Sequence, residues 1–307
     1  LRFLSSLCFC AALVPTLLPG ALSAAEITHA MGTTEVPDTP QKIVVLTNEG
    51  TEAMLMLGKT PVGAASSWYG DPWYPHLGDR MAGVEVVGTE LAVNLERLAM
   101  LEPDLILGSK KRHEEIYPQL SAIAPTVFVV NATDFKDNMK LYASSVGMEA
   151  EGEALVSDYE ADVARLRAAL GENAGDTVSV VRFVPGQLYV YRHDSFSGVV
   201  LNDIGFKRPE VQAQDGLALA VGKESIPNME ADRMFYLTYD TGNGEGTALE
   251  GETLKDPLWA NLKVVKAGNA HKVDDGVWAT SQGILAARAM LRDIARIYGT
   301  DVDLSSN

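Results

Sequence analysis

One uninterrupted helix stands between two stretches of alternating strand and helix, and it constrains this chain more than any other feature. Over residues 149–171 there is no proline, and Leu155, Tyr159, Val163, Leu166 and Leu170 return to one helical face before Gly171 supplies a stop. At about 1.5 Å per residue such a rod is roughly 30 Å long, the width of a small domain. Two lobes joined by a single stiff crossing are expected to enclose a cleft that flexes little, which is the build of a ligand carrier.

The first 25 residues read as a secretory leader. Arg2 gives a positive start, Phe3–Leu18 is almost wholly apolar, and Ser23-Ala24-Ala25 offers small residues ahead of a cut before Glu26. Pro15, Pro19 and Gly20 interrupt the apolar run short of the ~20 residues that span a bilayer. Both cysteines, Cys8 and Cys10, fall inside the leader, so the exported chain has no disulfide, thiol nucleophile or thiolate metal site. Leu7 and Phe9 precede them where a lipid anchor would want a small residue, and a soluble periplasmic protein is expected. The chain carries a formal charge of −16, and loss of Arg2 makes it more acidic. Such a surface repels nucleic-acid phosphates.

Residues 26–148 alternate strand and helix. Strands are expected at 42–46, 61–64, 104–107 and 126–130, with helices at 49–57, 94–101, 114–121 and 135–146. Residues 172–307 restart the pattern, with strands at 178–183, 188–192, 234–239, 264–265 and 271–273 and helices at 197–204 and 280–298. The expected fold is α/β: two doubly wound lobes with mostly parallel sheets, joined by the long helix, with the ligand cleft between them. A short echo, Asn94-Leu95-Glu96 and Asn228-Met229-Glu230, precedes one strand in each lobe.

Ligands of doubly wound domains meet the loops at the carboxyl ends of the strands. Those positions hold Lys110, Lys111, Arg112 and His113 after one strand and Trp68, Tyr69, Trp73, Tyr74 and His76 after another. In the second lobe they hold Arg182, Arg192, His193, Tyr239 and Trp278. Arg182 is the most telling, because a charge inside an apolar strand needs an acid or a ligand. Cations and rings converging from both lobes suit an anionic ligand with an organic framework. Residues 241–246, TGNGEG, read as a surface turn with no helix after it. The histidines at 29, 76, 113, 193 and 271 show no close metal spacing.

At these residues the chain resembles the periplasmic binding proteins of iron–siderophore ABC importers, the class with one connecting helix. The likeness runs through VVLTNEGTEAMLMLG, SSWYGDPWYPH, NLERLAMLEPDLILGSKKRHEEIYPQLSAIAPTVF, VSVVRFVPG, RHDSFSGVVLNDIGFKRPE, DPLWANL and KVDDGVWATSQG. These are similar to the subgroup that takes citrate–hydroxamate siderophores. The resemblance implies a non-enzymatic monomer that carries iron(III) held by the siderophore's own oxygens, with no metal ligand or cofactor from the protein. It implies that Lys110, Arg112, Arg182 and Arg192 face an anionic ligand, with Trp68, Tyr239 and Trp278 along its carbon skeleton. It further implies that Glu96 and Glu230 dock onto arginines of an ABC permease dimer in the inner membrane. Two other readings stay open from the residues. One is the same fold carrying haem, cobalamin or a divalent metal through His76, His113, His193 and His271, and the other is a two-domain enzyme with an interlobe active site.

Overall fold

The computed structural model describes residues 24–240 and 242–304. Most of the expected leader, with both cysteines, lies outside the described residues. Ala24 and Ala25 open a strand, Ala24–His29, that pairs antiparallel with Gly32–Pro37. Among the described residues no helix is long and apolar enough to cross a membrane.

A six-stranded sheet lies before the long helix, in the order Ala92–Val93, Glu85–Thr89, Gly63–Ser66, Ile43–Val45, Leu105–Ser109, Thr126–Val129. Every pairing is parallel except the one that adds Ala92–Val93. The central strands are apolar runs buried on both faces, as parallel strands covered by helices must be. Thr47 starts the first helix, Asn48–Met56, its hydroxyl accepting the Gly50 N–H at 3.1 Å.

The helix Glu149–Leu170 follows as the sequence predicts. Beyond it a five-stranded sheet runs Ala218–Val221, Gln187–Tyr191, Val178–Val184, Arg233–Thr238, Ala270–Lys272. Val178–Val184, Arg233–Thr238 and Ala270–Lys272 pair in parallel. Gln187–Tyr191 returns as a hairpin and pairs antiparallel on both sides. Gly186, at φ 72°, makes that hairpin turn in a backbone region open to glycine.

The crossing is not an isolated rod. The terminal helix Ile284–Tyr298 buries Ile284, Ala287, Leu291 and Ile294 in a core that also takes Tyr159, Leu166 and Leu170 of the connecting helix. The same core takes Val45, Leu107 and Val129 from the first sheet and Val178, Val180 and Phe235 from the second. Gly283 lets the Glu52 carboxylate approach so closely that a Cβ there would sit 2.3 Å from Oε2, and that carboxylate accepts the Ala286 N–H at 2.9 Å. The two halves thus share one continuous core, with the cleft above it.

Several local expectations are corrected. Residues 264–265 are helical, within Lys263–Lys266. Lys110–His113 is a helical turn rather than a loop. Glu85–Thr89 and Ala218–Val221 are additional strands. A helix, Glu245–Thr253, does follow the glycine-rich turn. The amides of Gly242, Gly244 and Thr247 all point at the Asp240 carboxylate, 2.9–3.0 Å away, so this turn spends its donors on its own chain.

Candidate functional site

The carboxyl ends of the parallel strands of both sheets meet at a cleft of two adjoining chambers. One, of about 230 Å³, is lined by Trp68, Arg112, Arg182, Tyr191, Tyr239, Ala279, Thr280 and Gln282. The other, of about 240 Å³, is lined by residues 66–68 and 89–91 together with Tyr239. Trp68 and Tyr239 border both, facing each other edge-on across the cleft at 6.5 Å between centroids. Together the chambers reach the usual size range of small-molecule sites.

Arg112 leaves the first half on the turn after Leu105–Ser109, and its guanidinium lies 5.3 Å from the Trp68 ring centroid. It is paired with the Glu90 carboxylate, which is only 4% exposed. Glu90 is itself fixed, accepting the backbone N–H and the side-chain amide of Asn48. His113 sets this turn from behind. Its Nδ1 accepts the Ser109 N–H at 3.1 Å, which leaves Nε2–H to donate to the Glu90 carbonyl at 2.9 Å. Burial, with Arg112 beside it, pushes the imidazole down to about 4, so it stays neutral.

Arg182 stands on Val178–Val184. Its Nε and Nη2 donate to the two oxygens of Asp275 at 2.6 and 2.8 Å, a bidentate fork, and Nη1 donates to the Tyr191 hydroxyl at 2.8 Å. The guanidinium also sits 5.1 Å from the Tyr239 ring centroid. Burial opposes the charge, yet Tyr191 and Asp275 hold its pKa above the ordinary arginine value. Burial pushes the Tyr191 phenol up to about 12, so it remains a protonated hydroxyl. Next to Asp275, Asp274 accepts the Tyr69 hydroxyl at 2.6 Å and ties the aromatic loop of the first half to the second.

The structure brings Trp68, Arg112, Arg182 and Tyr239 together; the other expected contacts lie elsewhere. Lys110 turns outward, 3.7 Å from Glu114. Arg192, one residue past the antiparallel strand Gln187–Tyr191, does not line the cleft, although Tyr191 beside it does. Its guanidinium donates to the carbonyls of Val211 and Asp215 at 3.3 and 3.5 Å. Trp278 is fully buried, 4.5 Å from the Phe235 ring, with Nε1 donating to Asp293 at 3.0 Å. The turn Gly276–Thr280 sends that indole into the core while Ala279 and Thr280 line the cleft. The sequence reading missed Glu90 and Asp275, the carboxylates that compensate the guanidiniums, as well as Tyr191 and Gln282.

The histidines do not converge. His76 lies 2.7 Å from the buried Glu52, His193 2.7 Å from the Asn202 amide, and His271 beside Phe235. Among the described residues no group of three or more His, Cys, Asp or Glu side chains is arranged to hold a metal.

Glu96 is exposed at the start of the helix Leu95–Met100, whereas both Glu230 oxygens accept backbone N–H groups, those of Lys263 and Val264 at 2.7 and 2.9 Å. A better counterpart for Glu96 comes from two tethers. Asp104 accepts the N–H groups of Gln41 and Lys42, and Asp232 that of Thr177, each just before a strand. Eight residues upstream of these carboxylates stand Glu96 and Glu224, each in the first turn of a helix. Glu224 is exposed. The Asn-apolar-Glu echo is therefore out of register.

A family model described as "Periplasmic binding protein" matches residues 43–275. The chain belongs to the periplasmic binding protein family. Its relatives include the probable siderophore-binding lipoprotein YfiY of Bacillus subtilis, 49% identical, the alignment covering 89% of this chain and 87% of that one. The achromobactin-binding periplasmic protein of Dickeya dadantii is 33% identical, with 85% and 87% covered. Among solved structures, Staphylococcus aureus SirA complexed with staphyloferrin B superposes with a TM-score of 0.84 at 32% identity, covering 92% of this chain and 100% of that one.

Proposed function

We propose that this protein binds a ferric siderophore outside the cytoplasm and delivers it to an ABC permease. The observation that carries the reading is the cleft itself. Guanidiniums and aromatic faces from both halves surround one space, in a family whose relatives are named for siderophores. Arg112 and Arg182 supply hydrogen bonds to carboxylate or hydroxamate oxygens, and Trp68 and Tyr239 pack on the organic framework. Iron arrives already chelated, so the protein acts as carrier and not as catalyst. Glu96 and Glu224, one exposed carboxylate from each half, are the contacts offered to the permease.

The test is a panel of ferric chelates titrated by tryptophan fluorescence and native mass spectrometry. Binding of one chelate at unit stoichiometry with quenching of Trp68 is expected. Arg182→Ala should weaken it by about tenfold to a hundredfold, the loss of one or two charge-assisted hydrogen bonds. If no chelate binds, or if Arg182→Ala binds as the parent does, the proposal fails.

A further inference from the structure

The cleft contains cations but no excess of them. Arg112 is answered by Glu90 and Arg182 by Asp275, and these carboxylates are only 4% and 3% exposed. Neither is a swinging surface group. Glu90 is pinned by two donors from Asn48, and Asp275 lies beneath Arg182 with the Thr280 hydroxyl 3.3 Å away. A third carboxylate, Asp274, adjoins Asp275 in the chain and is held by Tyr69. His113, behind Arg112, is neutral because burial and that guanidinium hold its pKa down. The chain as a whole carries a formal charge of −16.

A multiply anionic chelate entering this space would meet two guanidiniums already neutralised and would bring its own charge close to buried carboxylates. Like charges brought together in a desolvated site are strongly disfavoured. A chelate of little net charge has no such conflict. It can still accept from the remaining guanidinium N–H groups and pack on Trp68 and Tyr239. We infer that Glu90 and Asp275 are specificity-determining residues that tune the cleft toward ferric chelates of little or no net charge and against multiply anionic ones. This rests on the siderophore reading and names the class of siderophore it takes.

The experiment sorts the chelate panel by net charge, from neutral ferric trihydroxamates through singly charged citrate–dihydroxamate chelates to multiply anionic ferric dicitrate. Affinities are measured for the parent chain, Asp275→Asn and Glu90→Gln, with folding checked by thermal melting. The parent should bind best at low net charge. Each neutralised variant should shift the affinity ratio by roughly tenfold toward the multiply anionic members, whatever happens to affinity overall. A merely structural role for either carboxylate would weaken all members alike and leave the ranking unchanged. An unchanged ranking in a folded variant, or a multiply anionic chelate as the parent's tightest ligand, overturns this inference while leaving the siderophore reading intact. Absence of binding by every chelate overturns both. Should Asp275→Asn fail to fold, Glu90→Gln decides.

Discussion

Glu49 shows how far burial can move a single group in this protein. Its carboxyl is enclosed in the first half, accepting the Tyr142 hydroxyl at 3.0 Å, and desolvation pushes it up to about 8 from an ordinary 4.5. The folded state therefore holds this proton more tightly than the unfolded chain does. The stability this adds is complete below the unfolded value and is lost as pH rises through about 8. His113 has the opposite sign. Its folded pKa is lowered to about 4, so its contribution is complete above the ordinary 6.5 and is lost as pH falls through the lower value. Glu49→Gln should therefore flatten the decline of melting temperature between weakly acidic and weakly alkaline pH while leaving the acid limb unchanged. Thermal melts of both chains across that range check it, and parallel curves would show that Glu49 is already ionised at neutral pH.

At the scale of elements, the face on which each side chain emerges separates what the sequence made legible from what it hid. Arg182 was readable because a charge in an apolar strand demands a partner, and the long helix because its stripe is unbroken. Arg192 was misplaced because successive residues of an extended chain point to opposite faces: Tyr191 lines the cleft, while the Arg192 guanidinium turns to the carbonyls of Val211 and Asp215. Nothing in VYRH announces which of the two takes the cleft side. Trp278 was misplaced because one turn, Gly276–Thr280, points successive side chains to core and cleft, a division set by backbone path. Glu90 and Asp275 lie in short loops whose partners are distant in sequence. Residues 264–265 read as strand from two valines, but Glu230 accepts the first N–H groups of Lys263–Lys266 and makes a helical turn there. Glu230→Ala should then cost about 0.5–2 kcal/mol, the value of a lost helix cap. Permease-coupled uptake should fall in Glu96→Ala and Glu224→Ala, with melting temperature and ligand affinity unchanged, and should survive Glu230→Ala. Uptake lost only with Glu230 would restore the discarded register.

For the whole molecule, the shared core sets how far the halves can move. The connecting helix alone would permit a hinge, but the terminal helix lies along it and packs against Asn48–Met56 as well. Two polar ties cross the same seam, Tyr69 to Asp274 at 2.6 Å and Glu52 to the Ala286 N–H at 2.9 Å. A hinge rotation wide enough to open the cleft would pull this apolar seam apart. At ~25 cal/mol per Å², exposing each ~100 Å² of it costs about 2.5 kcal/mol. Ligand binding therefore has little large-scale motion available, and the adjustments fall on the Trp68 loop and the turn around Asp275, which border the chambers. Small-angle scattering should give the same radius of gyration for the free protein and for the protein saturated with its ferric chelate. Hydrogen exchange should slow at residues 66–74 and 274–282 and remain unchanged along 149–170. A ligand-induced contraction resolved by scattering, with exchange changing in the connecting helix, would mean that the seam opens and that the halves close as hinged bodies.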